Sequence, residues 1–135
     1  VTIECDASDA FKHVLADADE SDMVEFQSVA GLPARAVKTP WLSHYIDHEE
    51  KLKAKAKTKP NCIKSFDCLA HCGLRDGISK MGQFCIDHHL AAAFRGDIKK
   101  GLFFRGAGEL PFGKEIRSAR ELIAGLLQPQ AVLAT

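Results

Sequence analysis

Gln83-Phe-Cys-Ile-Asp-His-His-Leu-Ala-Ala-Ala-Phe-Arg-Gly96, then Gly101-Leu-Phe-Phe-Arg-Gly106, then Ile116 to Leu127, read as helix, short buried strand and helix. In the first piece, Phe84, Ile86, Leu90, Ala93 and Phe94 recur at helical spacing. Arg95-Gly96 supplies a cation and a C-cap glycine to end it. Leu102 to Phe104 is apolar on both faces, the pattern of a buried parallel strand. Ile116, Ala119, Leu122, Ile123, Leu126 and Leu127 line one side of the last helix, with Arg117, Arg120 and Glu121 outside that stripe. Pro129 stops it, and Gln130 to Thr135 is expected to fray. Helix, buried strand and helix in this order are what closes an α/β barrel. An eight-stranded barrel takes ~250 residues, and this chain has 135. With its opening at Val1, it reads as the C-terminal part of a larger enzyme.

Working back from Gln83, the stretch from Lys57 to Gly82 is rich in Gly, Pro, Asn, Asp and Cys and predicts an irregular loop with short turns. Before it, Pro40 suits the first turn of a helix, where a missing N–H costs nothing. Trp41, Leu42, Tyr45 and Ile46 give that helix an apolar face. Glu49 and Glu50 precede Lys53 and Lys55 in the favourable order. Met23 to Val29 and Ala34 to Val37 are β-prone and are separated by Gly31 and Pro33. A helix is expected from about Ala7 to Ala18, with Asp6 and Ser8 as N-cap types and Phe11, Val14, Leu15 and Ala18 on one stripe. Val1 to Glu4 looks like the tail of a strand whose partners lie upstream.

Composition sets outer limits. Apolar residues make up 46% and charged residues 27%, and the formal net charge is zero. Nothing therefore steers the whole chain toward nucleic acid or an anionic membrane surface. No apolar run reaches the ~20 residues of a membrane span, and no charged-then-apolar leader opens the sequence. The five cysteines, at 5, 62, 68, 72 and 85, are an odd number. Without a leader, that argues for reduced thiols in the cytoplasm rather than a secreted disulfide framework.

Cys62, Cys68, Cys72 and Cys85, with His71, His88 and His89 nearby, raise the question of zinc or an iron–sulfur cluster. No Cys-x-x-Cys pair occurs, so the plainer reading is that Cys62, Cys68 and Cys85 are small buried apolar thiols, and no metal ligand is assigned. Of His88 and His89, only one can face a pocket, since neighbours on a helix diverge by ~100°; a half-exposed helix histidine is the expectation. The alternation Lys51, Lys53, Lys55, Lys57, Lys59 lacks interleaved aromatics and reads as a solvated helix face. Gly106-Ala-Gly108 follows a strand and precedes a helix, as phosphate loops do. Its spacing fits neither the dinucleotide fingerprint nor the P-loop, and glycines that let a strand turn sharply are favoured.

The same residues resemble a known family. Thr2-Ile-Glu4-Cys5-Asp-Ala resembles the segment just after the last flavin-phosphate loop of the nitronate monooxygenases, formerly called 2-nitropropane dioxygenases. Gly31-Leu-Pro-Ala-Arg-Ala-Val37 resembles their Gly-x-Pro-Ala-Arg segment. Phe84-Cys-Ile86, Leu90, Arg95-Gly-Asp97 and Gly101-Leu-Phe-Phe104 resemble their Tyr-Cys-Ile…Gly-Asp…Gly-Leu-Ile-Phe run, and Ile116 to Leu127 their last barrel helix. The likeness runs in order over nearly the whole chain. Flavin-dependent enoyl-reductases of fatty-acid synthesis share that fold.

The resemblance implies an FMN-binding TIM-type barrel carrying an inserted α+β substrate domain. Residues 1–82 would be that insert, and 83–135 the closing helix, strand and helix with a C-terminal tail. It implies oxidation of alkyl nitronates with O₂ through reduced flavin in the full-length enzyme. The family's general-base histidine and phosphate loops match segments upstream of this one, so no catalytic residue is carried over. Only Thr2 and Glu4 would lie beside the flavin phosphate, and this chain alone is not expected to hold FMN. Its partners would be the N-terminal barrel segment or a second copy, with a small nitronate-like substrate. Two departures touch the pocket mouth. Arg105 to Gly113 replaces the family's Cys-Gly-x-Asn-Ala run, and the loop from Cys62 to Cys85 is long. The rival readings are a stand-alone cysteine-rich metal-binding or interaction module and a regulatory domain.

Overall fold

Ser8 accepts the Phe11 N–H at 3.2 Å and so begins the first helix, α1, Asp9–Asp17. A computed structural model of the chain describes residues 1–58, 61–63 and 67–128. Lys59, Pro129 and the tail from Gln130 lie outside the described residues.

After α1, Asp19 and Asp22 close a reciprocal capping box over a single 3₁₀ turn, Glu20–Asp22, a device that satisfies two orphan backbone donors at once. The two β-prone runs form strands β1, Met23–Gln27, and β2, Pro33–Val37, paired antiparallel from Met23↔Val37 to Gln27↔Pro33. Helix α2 runs Pro40–Lys55 with Thr39 as its cap and Pro40 at its start. One turn, α3, Gly73–Asp76, interrupts the irregular stretch. Helix α4 runs Ile86–Phe94, and Gly96 behind it has φ of 87°, the left-handed geometry of a helix stop. Helix α5 runs Ala119–Leu127. The architecture is thus a small mixed α/β arrangement.

The segment at 101–104 departs from the expected parallel strand. Leu102 and Phe103 are fully buried, but the segment pairs through one antiparallel bridge, Phe104 to Ala36 of β2. The Val37 N–H donates to the Phe103 carbonyl at 2.9 Å. The available partner is the free edge of a hairpin that runs the other way, so no parallel pair forms among the described residues. Gly101 permits the packing: a Cβ there would lie 2.5 Å from the Phe103 ring and 2.8 Å from Ala93 Cα.

Two apolar clusters hold the elements together. One joins Phe26, Val29, Ala36, Leu42, Tyr45, Cys72, Phe84 and Leu102. The other joins Ala18, Val37, Ala93 and Phe103, with α1's Phe11, Val14 and Leu15 packed against it. Both take residues from 1–82 and from 83–135, so the two stretches share their packing. Each fully buried large side chain here contributes about 1.5–3 kcal/mol by leaving water.

The last helix behaves differently. Its apolar stripe is expected to line a core, yet α5 buries no residue, and Ile123, Leu126 and Leu127 are 56%, 71% and 78% exposed. Among the described residues, its hydrogen bonds to the rest of the chain lie at its start. Ser118 and Glu121 form a capping box, and the Ile3 N–H donates to the Arg117 carbonyl at 3.1 Å. No helix among the described residues is long and apolar enough to cross a membrane.

Candidate functional site

Trp41, His44, Tyr45 and His48 sit at helical spacing on one face of α2, and Leu52 continues it. That face meets the start of α4 and the segment before it, which bring Gln83, Phe84, Cys85 and His89. Asn61, Cys62, Ile63 and Leu74 supply the remaining wall of an open cleft of about 580 Å³.

The back of the cleft is an aromatic stack. Trp41 lies between His89, at a centroid distance of 3.6 Å, and Tyr45, at 5.8 Å, while Phe84 meets both Trp41 and Tyr45 edge-on. Such geometry adds about 0.5–1.5 kcal/mol per pair beyond burial and fixes the rings. Tyr45 is 3% exposed. Its hydroxyl accepts the Gln83 N–H at 2.9 Å and donates to Glu49 Oε1 at 3.4 Å. Burial first, and Glu49 second, push its ionisation well above that of free tyrosine.

His89 is nine-tenths buried. Its Nδ1 lies 2.7 Å from the Lys100 carbonyl. A carbonyl only accepts, so Nδ1 carries the proton and Nε2 keeps its lone pair. Burial lowers the His89 pKa, which favours that neutral ring, against the opposing pull of the Lys100 carbonyl. Among the described residues none takes up Nε2, and no fully buried polar side-chain atom is left without a partner. Nε2 therefore reaches solvent, in the cleft. The arrangement can accept a hydrogen bond from a ligand's donor against an aromatic wall. His44 and His48 add two more imidazoles at the rim, with His48 Nδ1 2.8 Å from the His44 carbonyl.

A second, much smaller cavity of about 10 Å³ adjoins the cleft. It is lined by Cys62, Cys68, Cys72 and Cys85 with Leu74, Arg75 and Ile86, and it shares Cys62, Leu74 and Cys85 with the cleft. The four cysteines singled out in the sequence thus meet at one place. None of the five cysteines stands in a disulfide. Among the described residues, no three His, Cys, Asp or Glu side chains are placed to hold a metal ion. Cys85 is buried as expected of a small apolar thiol, whereas Cys62 is half-buried and Cys68 exposed; Cys72 is buried as well.

Thr2 and Glu4 lie elsewhere, at the start of α5. The Glu4 carboxylate accepts the Ala119 N–H at 3.0 Å. That bond, its own backbone N–H and the Thr2 side chain hold it below the usual carboxylate range. A carboxylate thus fills the place at the helix start that a phosphate would take. The nearest cations are engaged: Lys12 Nζ donates to the Ile3 carbonyl at 3.0 Å, and Arg117 pairs with Glu115. As placed, Thr2 and Glu4 do not fit a flavin phosphate.

The other sequence candidates separate. His88 and His71 are exposed, Lys51, Lys55 and Lys57 face solvent, and Lys53 pairs with Glu49 at 3.1 Å. Gly106 and Gly108 stand in an open loop where a Cβ would meet nothing. Comparison with protein-family models, curated proteins and solved structures finds no match.

Proposed function

We propose that this chain is the substrate-domain and closing β/α portion of a cytoplasmic FMN-dependent oxidoreductase resembling the nitronate monooxygenases. Its aromatic cleft would form part of the wall of a pocket for a small alkyl nitronate that is oxidised with O₂. Of the residues that carry the resemblance, Phe84 and Cys85 line the cleft, and Ala36 and Leu102 join Phe84 in the larger apolar cluster behind it. FMN would be held by the segment that the resemblance places upstream, since Thr2 and Glu4 do not fit it. No residue of this chain is given a catalytic role; its part is to shape and orient.

The observation that carries the reading is α5. A helix with caps built at its start and an apolar stripe left in water needs a cover, and exposed apolar faces of this kind mark contact surfaces. The N-terminal barrel segment is the proposed cover, and a second copy of the chain the other.

The test is to purify the protein encoded by the whole reading frame and to record its flavin absorbance and its O₂ uptake with an alkyl nitronate. Bound FMN and nitronate-dependent O₂ uptake are expected. Colourless protein, or flavoprotein indifferent to nitronates, overturns the reading. A stand-alone cysteine-rich metal-binding or interaction module has one observation in its favour, the meeting of four cysteines at one cavity. Stoichiometric zinc or iron, lost in Cys68→Ser, would support it instead.

A further inference from the structure

We propose that the small cysteine-lined cavity is a thiol-oxidation site, at which a hydroperoxide converts Cys68 and Cys72 into a reversible disulfide that reshapes the neighbouring aromatic cleft. The inference rests on the cavity and not on the flavin reading.

Four of the seven residues around the cavity are cysteines. At about 10 Å³ it has room for roughly one water molecule, so the four cysteines share a wall around little empty space. Access is graded. Cys68 is exposed, and Cys72 is 8% exposed. An oxidant therefore meets Cys68 first, and Cys72 stands behind it.

Arg75 is the pin that folds the Cys68 segment back onto α3. Its guanidinium donates to the Leu69 carbonyl at 2.8 Å and to the Ala70 carbonyl at 3.2 Å. It also reaches Asp67 Oδ1 at 3.2 Å and Asp76 Oδ1 at 2.7 Å. At the other end of the bend, the Arg75 N–H donates to Cys72 Sγ at 3.5 Å, and the Cys72 N–H donates to Asp76 Oδ2 at 2.9 Å. Arg75 thus holds Cys72 Sγ on one side of the bend at 69–71 and the two carbonyls that follow Cys68 on the other.

The chemistry balances with the hydroperoxide as oxidant. The Cys68 sulfur attacks the O–O bond; an S–O bond forms, the O–O bond breaks, and one water (or alcohol) leaves. Cys68 becomes a sulfenic acid and the peroxide is reduced by two electrons. The Cys72 sulfur then attacks the Cys68 sulfur; the S–S bond forms, the S–O bond breaks, and the hydroxyl leaves as water with the Cys72 proton. A dithiol reductant reverses the sequence by exchange.

The link to the cleft is geometric. Cys72 Sγ caps α3, the turn that carries Leu74, and Leu74 stands with Cys62 and Cys85 in the wall common to both cavities. Drawing Cys72 toward Cys68 pulls that wall. Trp41, the single tryptophan of the chain, lines the same cleft and reports on it.

The experiment treats the reduced chain with a few equivalents of hydrogen peroxide and counts thiols in denaturant. It adds mass, peptide mapping and Trp41 emission. The expected result is a fall from five thiols to three. The mass drops by about 2 Da, a Cys68–Cys72 peptide pair appears, Trp41 emission shifts, and dithiothreitol restores all of these. Cys68→Ser, a mild change at an exposed site, should keep its remaining four thiols and its emission. A disulfide that still forms in Cys68→Ser, or one that maps to Cys5, overturns the proposal. So does oxidation that stops at added oxygens without a disulfide, or stoichiometric zinc that protects the thiols. A Cys68–Cys72 disulfide with unchanged Trp41 emission overturns the coupling to the cleft.

Discussion

Replacing Tyr45 with phenylalanine isolates one hydroxyl while leaving the stacked ring in place. In the wild type that hydroxyl accepts the buried Gln83 N–H at 2.9 Å. Phenylalanine leaves this donor without its partner, which costs about 1–3 kcal/mol when no water can enter. The Glu49 contact is long at 3.4 Å and adds little. A loss of about 1–2 kcal/mol at pH 7 is expected, and for a chain of this length that lowers Tm by ~3–8 °C. The alkaline limb carries the sharper part of the prediction. Burial raises the Tyr45 pKa in the folded chain, while in the unfolded chain it stays near ~10. The unfolded state therefore sheds a proton above pH ~10 that the folded state keeps. The stabilising effect of the neutral phenol is complete below pH ~10 and fades as pH rises beyond it. At pH 11 the wild type should have lost ~1.4 kcal/mol from this group, and Tyr45→Phe none of it. Urea unfolding of both proteins at pH 7, 9, 10 and 11 should show the gap between them narrowing toward zero. Because Tyr45 is the only tyrosine, phenolate absorbance gives its titration directly. A normal midpoint near ~10 in the folded chain, or a stability gap independent of pH, would refute the buried, hydrogen-bonded phenol.

Leu102→Ala removes a side chain that is 1% exposed and should cost about 2–5 kcal/mol in urea unfolding; a loss under about 1 kcal/mol would mean the 101–104 segment is not packed as described. The His89 ring should titrate below its ordinary ~6.5 by NMR, because burial disfavours its cation. Its folded pKa is lowered, so the unfolded state takes up the proton first and stability falls as pH drops below about 6.5; a raised midpoint would contradict the neutral ring. The Arg75 guanidinium holds the Asp76 carboxyl at about 2. Asp76→Asn should therefore differ from wild type in stability above pH ~4 and converge with it as pH falls through about 2, and parallel acid limbs would count against the pair. Leu126→Asp, at a site 71% exposed, should change the stability of residues 1–135 by less than ~0.5 kcal/mol yet reduce the solubility of the intact protein. Wild-type solubility there would argue that nothing covers α5.

The elements were legible where a local rule governs them. Ser8 before Phe11, Pro40 after Thr39 and Gly96 after Arg95 each mark a helix end whose chemistry lies within four residues, and the structure places ends at all three. The hairpin was legible for the same reason, with two β-prone runs on either side of Gly31. What was not legible depends on contacts between distant residues. Leu102 to Phe104 has the apolar pattern of a buried parallel strand, but pattern alone names no neighbour, and the neighbour is β2 running the other way. His89 was expected half-exposed because its partner, the Lys100 carbonyl, is eleven residues off and outside its helix.

The cleft shows most clearly how one helix face can carry two messages. Trp41 and Tyr45 read as core residues, and they are: Tyr45 belongs to the larger apolar cluster and Trp41 packs against it. His44 and His48 fall on the same stripe at the same spacing, and a stripe that alternates aromatic rings with imidazoles is wetter than a core needs. That was the available signal. Its meaning required α4 to dock opposite and set His89 against Trp41. The cysteines follow the same logic in another form. Their spacing lacks the short pairs that announce a metal site, yet Arg75 gathers the intervening carbonyls and turns the loop back on itself. Four thiols scattered over 24 positions thereby come to share one wall with the aromatic cleft. Cys62, Leu74 and Cys85 are the wall across which a perturbation at one cavity reaches the other. Loosening the Arg75 grip should therefore disturb Trp41 from across that wall, with no change to any residue the indole touches.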